Sequence, residues 1–132
     1  MSEEEREPHP RLKMNHTFGR AGERLAAVQL EGQGYRILET NFRCRYGEID
    51  LVAEDGADLV FVEVKMRRGT AFGLPEEAVD ARKQRKLLQL AAYYLDLHEC
   101  AERSWRIDIV AIQLSTSGKL QAIRIYQHAV TE

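Results

Sequence analysis

The chain has 132 residues, enough for one domain with a real core. Its net charge of −2 gives no global signature of a nucleic-acid binder, but four Glu against one Arg in the first ten residues mask a body that is nearly neutral to slightly basic. Two distant cysteines, Cys44 and Cys100, form no CxxC pair and read as reduced thiols of a cytoplasmic protein. No apolar run is long enough to span a membrane, and no signal peptide is visible. The sequence His98-Glu99-Cys100 lacks a second ligand pair, which argues against a zinc site.

Residues 1–16 are polar, charged and interrupted by Pro8 and Pro10, so they are expected to form a disordered acidic tail. A single domain is expected over 17–128. Its first helix is predicted over 17–33, with Thr17 as N-cap and Gly32 and Gly34 as the stop. Phe18, Gly22, Leu25 and Val28 give an apolar stripe with Ala26 at its edge, and Glu23 falls on the flank. Small Gly19, Gly22 and Ala26 would allow close packing on a sheet, and Glu23 could then reach the sheet edge. Glu23 also reads as an ordinary solvated shoulder residue.

A strand over 35–44 follows, with Asn41 marking a bend or bulge. Two more strands, 48–53 and 59–65, flank Asp55-Gly56, a strong hairpin signal. Alternation puts Glu48, Asp50 and Val52 on one face of the first, and Phe61, Glu63 and Lys65 on one face of the second. The hairpin can therefore gather Asp50, Glu63 and Lys65. Two carboxylates in apolar runs repel each other and resist burial, and a divalent cation relieves both costs. Mg²⁺ takes hard oxygen ligands and leaves positions for water or phosphate. An adjacent ammonium can orient a water or offset charge on a phosphate. Glu-x-Lys by itself is an ordinary exposed pair.

Beyond Lys65 come Met66-Arg67-Arg68 and a loop marked by Gly69, Gly73 and Pro75. One long helix is expected from Pro75 or Glu76 to Leu97, with Leu87, Leu88, Ala91, Tyr94 and Leu95 inward. Arg82, Arg85, Lys86, Gln89 and Tyr93 project from the other face, Lys83 lies to one side, and Gln84 falls on the apolar side. The run Arg82 to Lys86 could touch phosphates or be a solvated face. Strands over 105–114 and 120–126 close the domain, and Asp108 within the first reads as structural, paired with an arginine. The order α-β-β-β-α-β-β implies an α/β fold with a mixed sheet.

The ordered set Glu23, Asp50 in GEID, and Glu63 and Lys65 in FVEVK resembles the active-site series of PD-(D/E)xK, or restriction-endonuclease-like, nucleases, and its spacing is similar to that of archaeal Holliday-junction resolvases. GRAGERLA, TNFRCRYGEIDLVA, LVFVEVKMRR and RKQRKLLQLAAYYL resemble, more closely, the YraN family of uncharacterised bacterial proteins. The resemblance covers about residues 19–112. It implies a restriction-endonuclease-like mixed sheet flanked by helices, and a metal-dependent endonuclease acting on DNA, branched or damaged DNA included. It makes Glu23, Asp50, Glu63 and Lys65 catalytic, with Asp50 and Glu63 holding Mg²⁺ or Mn²⁺ and Lys65 orienting the attacking water. Expected nucleic-acid contacts are Arg20, Arg67, Arg68, Lys83 and Gln84, and a homodimer is compatible with such chemistry. Ile49 stands where the family pattern has proline, which is not a ligand. The competing readings are a non-catalytic nucleic-acid-binding module on the same fold and a protein-interaction scaffold.

Overall fold

The structure, a computed structural model, describes residues 10–71 and 73–131, with side chains from Gly19 onward. Helix α1 spans Pro10–Gly32, and strands β1, β2 and β3 span Arg36–Cys44, Gly47–Asp55 and Asp58–Arg68. A 3-10 turn at Pro75–Ala78 leads to helix α2, Ala81–Leu97, and strands β4, Trp105–Leu114, and β5, Leu120–Tyr126, follow. The strands form one sheet in the order β1-β2-β3-β4-β5. Only β3 and β4 pair in parallel, with α2 as their crossover. The expected element order and mixed α/β sheet are therefore present.

Helix α1 covers one face of the sheet and α2 the other. Ala26 and Leu30 pack with Leu51, Ala53, Val60, Val62, Val110 and Ile112 on the α1 side. Leu87, Leu90, Ala91 and Tyr94 pack with Phe42, Ile49, Val52, Phe61, Ile107 and Ile109 on the α2 side. The two layers share β3 and β4 at the centre, whose residues alternate between them as a pleat requires.

Several local expectations are corrected. Helix α1 begins at Pro10 and not at Thr17, and proline suits a first helical turn, where its missing N–H would have no partner. Of the disordered tail predicted over 1–16, residues 10–16 belong instead to α1, whereas 1–9 lie outside the described residues, as does the side chain of Phe18. The α1 stripe is rotated: Leu25 and Val28 are exposed, Val28 at 70%, whereas Gly22, Glu23, Ala26 and Leu30 face the sheet. The small residues turn inward because α1 lies close to β3; a Cβ on Gly22 would sit 3.5 Å from Val64 Cγ1.

The expected long helix over 75–97 is broken. The 3-10 turn ends at Ala78, and α2 starts afresh with Asp80 as N-cap, its carboxylate accepting from the Lys83 N–H at 2.9 Å. Glu76 ties the short turn to β5, accepting from Arg124 at 2.7 and 2.9 Å. Within α2, Leu90 is buried and Leu88 only partly so, and Tyr93, expected outward, packs on Tyr46 with ring centroids 5.3 Å apart.

Strict alternation fails in β2. Ile49 and Val52 enter the α2-side layer, Leu51 and Ala53 the α1-side layer. Ile49 and Leu51 should share a face, so the pleat is broken at Asp50. Opposite it, between the pairs Thr40↔Leu51 and Phe42↔Ile49, stands Asn41 with φ 54°. The bend expected at Asn41 is there, in a left-handed conformation that asparagine tolerates better than most residues.

Candidate metal centre

The ladder between β2 and β3 runs from Asp55↔Asp58 to Leu51↔Val62 and goes no further, while β3 stays paired with β4 out to Arg68. Beyond Leu51 the two strands of the hairpin part. Asp50 sits in that fork. Its Oδ2 accepts the Val64 N–H at 2.7 Å, taking the place of a ladder carbonyl. The broken pleat and the fork together aim the Asp50 carboxylate toward α1.

Three carboxylates meet there. Glu23 from α1 and Glu48 and Asp50 from β2 each offer an oxygen, and these oxygens lie within 4.8 Å of one another. Glu23 is 7% exposed, and Glu48 and Asp50 are half-buried. Glu23 is oriented by the Asn41 amide, whose Nδ2 donates to Oε2 at 2.8 Å. Among the described residues, Asn41 Oδ1 is buried with no hydrogen-bond partner. Glu48 is held by Arg43 at 3.1 Å.

Burial raises the Glu23 carboxyl above its usual range; the Asn41 bond offsets part of that rise, and Glu48 adds to it. Burial pushes the Asp50 carboxyl well above the usual range, and the charge of Glu63 pushes it further. The Val64 N–H acts in the opposite direction without cancelling them. Such a set of oxygen donors, crowded and partly dry, has the chemistry of a hard divalent cation site. A 170 Å³ cavity between α1 and the fork is lined by Gly22, Glu23, Asp50, Val64 and Lys65.

Glu63 stands on the other side of Asp50. It is 3% exposed, on the α2 face of β3 with Phe61, as its parity in the strand requires. Two ammoniums hold its Oε2: Lys65 Nζ at 3.6 Å and Lys83 Nζ at 3.2 Å. Lys65 also borders the cavity, so it bridges the two sides of the centre.

The structure thus brings Glu23, Asp50, Glu63 and Lys65 together at one end of the sheet. It adds Glu48, which sequence reasoning placed on Asp50's face without giving it a role. The signal was present in GEID, where Glu48 precedes Asp50 by two residues on the same strand. Of the expected nucleic-acid contacts, Arg20 is exposed beside Glu23, and its charge favours the Glu23 carboxylate. Arg67 is half-buried near the end of β3, and the Arg68 guanidinium lies against Gly118 in the β4–β5 turn. Lys83 is engaged with Glu63, and Gln84 Nε2 donates to the Val79 carbonyl at 3.1 Å, closing the break between the 3-10 turn and α2.

Residues 22–112 match the model of a family described as "Uncharacterised protein family UPF0102". The chain belongs to the UPF0102 family. This is the YraN family whose motifs the sequence resembles. A UPF0102 protein of Moorella thermoacetica is 46% identical over 111 residues, which cover 84% of this chain and 92% of that protein. One of Symbiobacterium thermophilum is 47% identical over 116 residues, 88% of this chain and 98% of the relative. One of Caldicellulosiruptor saccharolyticus is 38% identical over 112 residues, 85% and 95% respectively. The match to the family model begins at Gly22 and so takes in Glu23, Glu48, Asp50, Glu63 and Lys65. Among the described residues, no helix is long and apolar enough to cross a membrane.

Proposed function

We propose that this UPF0102 protein is a metal-dependent nuclease that hydrolyses phosphodiester bonds of DNA. One observation carries the reading: the sheet is opened at Asp50, at the cost of ladder hydrogen bonds, to hold three carboxylates, two of which, Glu23 and Asp50, line a phosphate-sized cavity. Purely structural carboxylates would be balanced by cations; Arg43 pairs with Glu48, but among the described residues Asp50 has no ion-pair partner. Here burial and like charge raise Glu23 and Asp50 instead.

Glu23, Glu48 and Asp50, in place of the expected pair Asp50 and Glu63, would hold a Mg²⁺ or Mn²⁺ ion, because Glu63 is already paired with two lysines. Bound there, the ion would offset charge developing on the scissile phosphate and favour ionisation of a water. Asn41 and Arg43 orient two of the three carboxylates, Glu23 and Glu48. Glu63, clamped by two lysines, fixes Lys65 at the edge of the cavity. From there the Lys65 ammonium can orient a water or pair with a phosphate oxygen. The Lys83 ammonium shares the charge of Glu63, so Lys65 can turn to a phosphate without leaving a buried carboxylate unpaired.

A cleavage assay tests this. Linear, flapped, four-way-junction and single-stranded DNA are incubated with Mg²⁺ or Mn²⁺, with Asp50→Asn and Lys65→Ala purified in parallel. The expected result is metal-dependent cutting that falls at least a hundredfold in both variants, the scale of losing one charge-stabilising group. DNA binding without cutting, unchanged in both variants, would replace the nuclease with a binding module.

A further inference from the structure

The first two turns of α2 hold Arg82, Lys83, Arg85 and Lys86. Lys83 is spent on Glu63. Among the described residues, Arg82, Arg85 and Lys86 make no ion pair, and α2 itself carries a single acid, Asp96, at its far end. Asp80 is occupied as the N-cap, accepting the Lys83 N–H. This placement is electrostatically poor for the free protein. Cations at i and i+3 or i+4 repel each other, and the N-terminal end of a helix disfavours positive charge.

These side chains border an open groove of about 540 Å³, lined also by Ala78, Asp80 and Gln89. Two residues of the groove wall reach neighbours of the carboxylate centre. Lys83, on its wall, reaches Glu63. The stem of Lys86 lies over Gly47, where a Cβ would meet Lys86 Cε at 3.6 Å, and Gly47 is the neighbour of Glu48. Two of the groove's cations, Lys83 and Lys86, therefore stand beside Glu63 and Gly47, residues that flank the fork at Asp50.

We infer that Arg82, Arg85 and Lys86 form a track for the DNA phosphate backbone flanking the bond to be cut, and that Lys83 belongs to the site and not to the track. A polyanion in the groove turns the mutual repulsion of the three cations into the attraction that holds it. The inference rests on the nuclease reading for its substrate, but binding tests it independently of cutting. Sequence left the run Arg82 to Lys86 open between phosphate contact and a solvated face; the inference assigns phosphate contact to Arg82, Arg85 and Lys86 and takes Lys83 out of the interface.

The test measures binding of a short fluorescein-labelled DNA duplex by anisotropy, across a salt series in EDTA. Arg82→Ala/Arg85→Ala/Lys86→Ala is compared with wild type, with Lys83→Met, and with Lys119→Ala as a distant control. Three lost phosphate contacts lower the slope of log K against log salt by about 2.7, which corresponds to more than a tenfold loss of affinity at low salt. Lys119→Ala keeps the wild-type slope, and Lys83→Met lowers it by no more than the single Lys65 contact it disturbs, about 0.9. Circular dichroism checks that the triple variant is folded, as exposed positions allow. An unchanged slope in the folded triple variant overturns the track, and so does an equal fall in Lys119→Ala, which would show net charge alone at work. Cutting by a triple variant of unchanged affinity would leave the nuclease standing and the track refuted.

Discussion

Asp50 concentrates the tension of this protein in one side chain. Its folded-state pKa lies above the ordinary value of 3.8, through burial first and Glu63 second. The folded state therefore keeps the proton to higher pH than the unfolded chain does. Its contribution to stability is fullest below the unfolded value and is lost as pH rises through the folded one. At neutral pH the ionised carboxylate opposes folding, and Asp50→Asn should raise Tm in EDTA. Asparagine keeps an oxygen for the Val64 N–H. Each kcal/mol recovered is worth roughly 4 °C in a domain of this size. The gain should shrink when the melts are repeated at about pH 4, where the wild-type group is protonated more often. Mn²⁺ should raise the Tm of wild type, by about 2.7 kcal/mol of added stability at a hundred times Kd, and leave that of Asp50→Asn nearly unmoved. Glu23 carries the same sign of shift, with burial as its first cause, so its replacement by Gln should act in the same direction.

Helix α1 matters because of how near it lies. Its inward face is Gly22, Glu23, Ala26 and Leu30, small where it crosses β3 and large only beyond it. A Cβ at Gly22 would be 3.5 Å from Val64 and 3.7 Å from Met66, which is ordinary contact. Gly22→Ala should therefore fold normally and gain up to ~1 kcal/mol from helix propensity. Gly22→Leu has no such room. Overpacking of this kind costs about 1–3 kcal/mol and lifts α1 from the sheet. Glu23 would move with the helix, so Mn²⁺ affinity should fall in Gly22→Leu and hold in Gly22→Ala. Thermal melts and a Mn²⁺ titration on both variants separate the two outcomes.

A buried ionic network ties the remote end of the sheet together. Asp108 is fully buried and accepts from the Tyr35 hydroxyl at 2.7 Å, from Arg106 Nε at 3.0 Å and from the His128 N–H at 2.9 Å. Arg106 reaches Asp55 at 2.6 Å and Asp58 at 2.9 Å, the two residues that frame the β2–β3 turn. The network joins the exit from α1, the hairpin, β4 and the C-terminal segment. It holds the hairpin closed at one end while Asp50 opens it at the other. Asp108→Ala leaves a cation and two donors short of an acceptor, and a loss of about 3–5 kcal/mol is expected. Chemical denaturation measures it. A loss below 1 kcal/mol would mean that the remaining acids re-form the network without Asp108.

Periodicity and turn chemistry were enough to place most elements. Strands β4 and β5 fall on the expected residues, since ten apolar-rich residues bounded by turns admit little else, and Asp55-Gly56 located the hairpin. Asp50 and Glu63, with Lys65 beside them, were legible because acids in apolar runs stand out, and so was the pairing of Asp108 with an arginine; Glu23 joined the series only through the family resemblance. Periodicity could not tell which face of α1 is buried: hydropathy favours Leu25 and Val28, but close approach to β3 selects glycine and alanine. It could not show the break before α2, which depends on Asp80 capping a new helix. Nor could alternation place Glu48 with Glu23, or separate Lys83 from its basic neighbours. Those contacts exist only because β2 leaves β3 at Leu51 and α2 crosses behind Glu63. The residue types were set by the chain, but their distances were set by where two strands part and two helices dock.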